Sequence, residues 1–105
     1  MKDKDSTRYQ YQLISTYERD IEQPEVYNTH NQAFEAMVED LARQTDDFSA
    51  WKLKKHFKSN TLEELDGYDD FFGLDEDWAW YNGNYNYDWK IVRLTVQNNR
   101  IIKCE

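Results

Sequence analysis

Residues 8–20 read RYQYQLISTYERD. Tyr9, Tyr11, Leu13, Ser15 and Tyr17 alternate with Gln10, Gln12, Ile14, Thr16 and Glu18. A period of two with rings on one side and polar groups on the other predicts a half-buried antiparallel strand. Ile14 is the one apolar residue on the wet side. Downstream, IEQPEVYN (21–28) turns at Gln23-Pro24 and offers a short strand around Glu25–Tyr27, close enough to pair back as a hairpin. Residues 1–7, MKDKDST, alternate charge and polarity and are expected to fray.

The pattern then changes period. Thr29-His30-Asn31-Gln32 has the spacing of a capping box, in which the Thr29 hydroxyl and the Gln32 amide each satisfy a free backbone donor. Ala33, Phe34, Met37, Val38 and Leu41 follow at three-and-four spacing, which predicts an amphipathic helix from about Asn31 to Gln44. Glu35, Glu39, Asp40 and Arg43 fall on its wet face. In TDDFSAWKLKKHFKSN (45–60), Thr45 or Asp46 is the expected cap of a second helix. Phe48, Trp51 and Phe57 would line one side of it, with Leu53 off that side. Lys52, Lys54, Lys55 and Lys58 form the only basic cluster. Thr61 and Glu64 suggest a further capping box and a short helix, interrupted by Gly67 and Gly73.

The last third returns to strands. Asp77–Tyr81 reads as one, with Trp78 and Trp80 on one side and Asp77, Ala79 and Tyr81 on the other. Asn82-Gly83 turns the chain. Asp88–Val96 and Arg100–Cys104 read as strands joined at Gln97-Asn98-Asn99. Phe71, Phe72 and Leu74 are expected to plug the end of the sheet. The order implies an α+β fold: an antiparallel β-sheet of about five strands packed on one face by two or three helices. At 105 residues, a single domain spanning 1–105 is expected.

Composition narrows the function classes. Aromatics make up 16% of the chain, and each buried ring supplies about 150–250 Å² of contact, so rings must build much of the core. A mean hydropathy of -1.06 would suit disorder, but three Gly and one Pro argue for a folded chain. The single Cys104 excludes an intrachain disulfide and a thiolate metal site. The N-terminus lacks the apolar stretch of a signal peptide, and no apolar run nears the ~20 residues that cross a bilayer. A soluble protein of the cytoplasm, with no membrane partner, is the expectation.

Net charge is -8, and its location is specific. Residues 59–89 hold nine acids (Glu63, Glu64, Asp66, Asp69, Asp70, Asp75, Glu76, Asp77 and Asp88) and no Lys, Arg or His. The rest of the chain carries 12 acids against 13 bases. Within that segment, Leu65–Trp89 also carries nine aromatic rings. Trp78, Trp80 and Trp89 are expected to be partly core. Tyr68, Tyr81, Tyr85 and Tyr87 are expected on or near an acidic surface.

No catalytic motif accompanies these acids. His30 and His56 share no ligand spacing with each other or with Cys104, no serine sits in a nucleophile elbow, and there is no phosphate loop. Asn82, Asn84, Asn86 and Asp88 alternate like the first ligands of a calcium loop, but the Gly and the final Glu of that loop are missing. Asp75, Glu76 and Asp77 could hold a cation only loosely. No cofactor and no enzymatic activity are expected, although two of the acids acting as a hydrolase pair is a third reading. Direct binding of nucleic acid is disfavoured, because it needs Lys and Arg to displace phosphate counterions.

Carboxylates around exposed rings suit a partner that presents Arg and Lys. In size, acidity, single-domain build and lack of a catalytic motif, the chain resembles the DNA-mimic inhibitors made by phages, among them anti-CRISPR and anti-restriction proteins. Separately, EVYNTHNQAFEAMVEDL (25–41) and AWYNGNYNYDWKIVRL (79–94) look like small bacterial and prophage proteins with no known activity. The first resemblance implies a partner with a basic nucleic-acid channel, a CRISPR effector or a restriction enzyme, inside a bacterial host cell. The expected contacts are Glu63, Glu64, Asp66, Asp69, Asp70, Asp75, Glu76 and Asp77, with Tyr68, Tyr85 and Tyr87 as anchors. A different class of reading is a small structural or regulatory module that uses its aromatic strand surface to form a homodimer or bind a peptide.

Overall fold

The computed structural model describes residues 7–105. Its spine is a two-stranded ribbon. β1 (Thr7–Tyr17) pairs antiparallel along its whole length with β6 (Asn86–Gln97), from Thr7↔Gln97 to Tyr17↔Tyr87. The outer side of β1 takes β2 (Asp20–Ile21) and β3 (Glu25–Tyr27) end to end. The outer side of β6 takes β5 (Trp78–Asn82) and, beyond a bulge at Thr95/Val96, β7 (Arg100–Cys104). β4 (Phe72–Leu74) adds to the far side of β5. The fold is α+β, as expected, with seven antiparallel strands instead of about five. The extra pair, β2 and β4, have two and three residues and are too short to show a period. Thr7 is already paired, while the remainder of the expected frayed end, residues 1–6, lies outside the described residues.

Two hairpins show how turn chemistry acts here. Asn98 and Asn99 take the left-handed backbone (φ 53 and 66) that a two-residue turn requires and that Asn tolerates. Glu18 and Arg19 do the same between β1 and β2 (φ 50 and 76), without a Gly or Asn to ease it. Neighbouring backbone holds that turn in place. The Glu18 N–H donates to the Asn86 carbonyl at 2.8 Å, and the Glu18 carboxylate accepts from the Asn86 N–H at 3.0 Å.

α1 (His30–Thr45) starts on the expected capping box. The Gln32 N–H donates to Thr29 Oγ1 at 3.1 Å, and the Thr29 N–H donates to Gln32 Oε1 at 3.3 Å. Ala33, Met37, Val38 and Leu41 are wholly buried on one stripe. Asp46 ends this helix and does not begin the next: it adopts φ 60, and its N–H returns to the Ala42 carbonyl. α2 (Ala50–Lys58) begins instead at Ser49, whose hydroxyl accepts from the Lys52 N–H at 3.1 Å. The expected apolar side of α2 is also rotated. Ala50, Leu53 and Phe57 form the inward row, Leu53 is fully buried, and Trp51 is 68% exposed. A nine-residue helix offers one such row to its neighbour, and here Phe57 meets Phe34 of α1 at 5.0 Å. Lysines cover the remaining rings, with Lys55 over Trp51 and Lys52 over Phe48.

No second capping box forms. The Thr61 hydroxyl pairs with His56 Nδ1 at 2.8 Å, and Leu62–Glu64 makes one 3-10 turn before α3 (Tyr68–Phe71). The helices and one sheet face share a core of Leu13, Ala79, Trp89, Ile91, Phe72 and Leu74 with the α1 stripe, Leu53, Leu62 and Leu65. No described helix is long and apolar enough to cross a membrane.

Candidate partner-binding surface

Rings and carboxylates interleave in the acidic segment because the core-facing rings sit mostly on strands, whereas all its acids but Asp88 sit on the 3-10 turn, α3 and the connections around them. Phe72, Leu74, Ala79 and Trp89 point into the core and are at most 3% exposed. All nine acids between residues 59 and 89 are exposed. Of the three residues expected to plug the sheet's end, Phe72 and Leu74 do so, whereas Phe71 is 55% exposed. Phe71 and Phe72 sit at the junction of α3 and β4, so only one of two successive side chains can face inward.

The acids have a focus at Tyr68. This half-buried ring meets Phe72 edge-on at 5.3 Å, and its phenol is pushed above the ordinary tyrosine range. Burial is the main cause, a hydrogen bond from the Leu74 backbone works against it, and the charges of Asp69, Glu63 and Asp75 add to the rise. The charges that act on this phenol come from three places in the fold: Glu63 from the 3-10 turn, Asp69 from α3, and Asp75 just after β4.

A neighbouring recess of about 370 Å³ lies between the end of α1, α3 and the β5–β6 hairpin. Asp47 and Asp66 contribute carboxylates to its lining, Phe71 and Tyr81 contribute rings, and Gly83 and Asn84 close the hairpin side. Asp47 escaped the sequence reading. It precedes the acidic segment, and the run Thr45-Asp46-Asp47 looked like a helix start.

The expected ring anchors fare differently. Tyr85 is 52% exposed and leans on Tyr17 at 5.3 Å. Tyr87 is half-buried, lying 5.0 Å from Tyr17 and stacked on Trp89 at 5.8 Å, so most of its contact is internal. Asp77 is drawn away from the other acids to the start of α1, where its Oδ1 lies 2.8 Å from His30 Nε2. Among the described residues, none of the other eight acids of the segment forms a salt bridge. Of the basic cluster on α2, Lys54 pairs with Glu35 of α1 at 3.5 Å, and Lys52 lies over Phe48, which lines the recess beside Asp47 and Asp66. Among the described residues, no three His, Cys, Asp or Glu side chains are placed to hold a metal ion.

The chain matches no family model, no curated protein and no solved structure.

Proposed function

We propose that this chain is a non-enzymatic acidic binding protein that occupies the basic nucleic-acid channel of a nuclease, a CRISPR effector first and a restriction enzyme second. The observation that carries the proposal is that all nine acids of the segment are exposed and that, among the described residues, only Asp77 of them forms a salt bridge, while Asp69, Glu63 and Asp75 act together on the Tyr68 phenol. Like charges held together on a fold raise its free energy, and a surface of Arg and Lys relieves that cost on binding. Arg also stacks on rings, so Tyr68, Tyr85 and the exposed Phe71 give such a partner apolar contact inside a charged rim.

The experiment uses the immobilised chain and a bacterial extract. Retained proteins should be nucleic-acid binders, should elute as salt rises toward ~0.5 M, where the Debye length is about 4–5 Å, and should be released by added double-stranded DNA. The same eluate should lose nuclease activity when the free chain is added back. Retention that ignores both DNA and the triple substitution Glu63→Gln, Asp69→Asn, Asp75→Asn would refute the proposal.

A further inference from the structure

The sheet face turned away from the helices has a pattern of its own. Direct strand partners share a face, so Ala79, Trp89 and Ser15 form one row on the helix side. The rows flanking it point the opposite way: Trp78, Lys90 and Ile14 in one, and Trp80, Asp88 and Thr16 in the other. None of these six belongs to the helix-side core. Ile21 and Val26, partnered with Thr16 and Gln12, extend the same face and are 71% and 48% exposed. An antiparallel sheet that leaves one face to water normally keeps that face polar. Away from the β7 end, where Leu94 and Val96 of this face are buried, this one carries two tryptophans and four β-branched aliphatic residues (Ile14, Ile21, Val26 and Val92), and a patch of that kind marks an interaction surface. Trp80, Asp88 and Thr16 line a shallow recess of this face with Arg19. Gly73 is the strand partner of Trp80, and a Cβ there would lie 2.2 Å from Trp80 Nε1, so the indole rests where a side chain would otherwise stand.

We infer that this face docks against the same face of a second copy of the chain. A two-fold axis along the Ala79–Trp89–Ser15 row exchanges the two flanking rows. Lys90 of each copy then faces Asp88 of the other, Trp78 faces Trp80, and Ile14 faces Thr16. Opposite charges meet twice and rings meet rings, which is the self-complementarity that an isologous interface requires. Facing sheets pack about 10 Å apart, a gap that a lysine and an aspartate span together. The molecule extends 54 × 32 Å in its two longer directions. A stable interface needs about 800 Å² per partner. The cluster around Tyr68 takes no part in this contact, and the inference is independent of the proposed inhibitor function.

Gel filtration with light scattering on the full chain tests it, across protein concentration and at ~0.05 and ~0.5 M NaCl. The mass should rise from 12.8 kDa to twice that value. Added salt should strengthen the dimer, because it screens two copies that each carry a charge of -8. Asp88→Lys and Lys90→Asp each set like charges face to face and should weaken the dimer by about tenfold or more, whereas the double variant Asp88→Lys/Lys90→Asp should recover to within about threefold of the parent. Both substitutions are at exposed positions, and circular dichroism should report unchanged folding in all three variants. Trp78→Ser should weaken the dimer without any change of charge. A monomer at every concentration and salt overturns the inference. So does a double variant as weak as the single ones, or a monomer whose tryptophan face is taken up by another molecule.

Discussion

Two carboxylate clusters on this chain differ in how they are balanced. At the β7 end, Glu105 sits between Arg93, at 2.5 Å, and Lys103, at 3.0 Å. Hydrogen bonds from Lys103 and Arg93 hold its carboxyl below the usual range, and the Glu105 partnership raises Arg93 in turn. Around Tyr68, three carboxylates approach one ring, and among the described residues no cation answers them. The first is balanced within the chain. The second is the surface proposed to meet a basic partner. Net charge alone would have treated the two alike.

The largest way to break this contrast is mechanical. Phe72 is 1% exposed and ties the acidic segment to the core through Tyr68 and Phe48. Phe72→Ala should cost about 3–5 kcal/mol in chemical denaturation and release the carboxylates from their arrangement. Next comes partner capture. The triple substitution Glu63→Gln, Asp69→Asn, Asp75→Asn should slow association with a basic partner by about tenfold or more at low salt, and Glu105→Gln should leave it unchanged. Surface plasmon resonance against the captured protein reads both.

A smaller effect has opposite signs in the two clusters. Removing crowded like charges should raise the melting temperature slightly in the triple variant, whereas Glu105→Gln should lower it slightly. The pH dependence separates them further. A carboxyl whose folded pKa is lowered adds stability that is present above its unfolded value, about 4.3, and is lost as pH falls through the folded one. The Glu105 contribution should therefore fade in acid and be absent from Glu105→Gln. Tyr68 behaves in the opposite sense. Its raised phenol leaves stability intact below about pH 10 and lost as pH climbs through the folded value. Ultraviolet titration of the triple variant should move Tyr68 back toward the ordinary range, but not all the way, because burial is the larger cause.

The contrast also marks what a linear sequence can and cannot carry. α1 was legible to within one residue at each end, because Thr29, Gln32 and the stripe from Ala33 to Leu41 are local signals. The long strand β1 was legible through its period, and Asp88–Val96 covers most of β6. Asp46 was misread because an Asp beside a helix suits either end of it, and only its positive φ decides the matter. The α2 face differs from the row of Phe48, Trp51 and Phe57, because packing against α1 selects Leu53 and leaves Trp51 exposed. The Glu18-Arg19 turn has no sequence signal, since a strand that lies 68 residues away in the chain holds it.

The acidic segment announced itself in composition, and its exposure follows from acids placed on turns and the short α3. Its internal arrangement did not show. That Glu63, Asp69 and Asp75 share a ring depends on the 3-10 turn and α3 folding back beside β4. That Asp77 leaves the group depends on His30, 47 residues earlier. The recess holding Asp47 and Asp66 joins residues that are far apart in the chain.

The most direct measurement maps where a basic ligand lands. A short arginine-rich peptide, titrated into the isotope-labelled chain and followed by amide chemical shifts, should perturb Glu63, Asp66, Tyr68, Asp69 and Asp75 at one shared affinity that weakens as salt increases. Glu105 and its neighbours on β7 should stay still. Perturbations spread evenly over all exposed acids, or centred on Glu105, would contradict the claim that the carboxylates around Tyr68 form a binding surface.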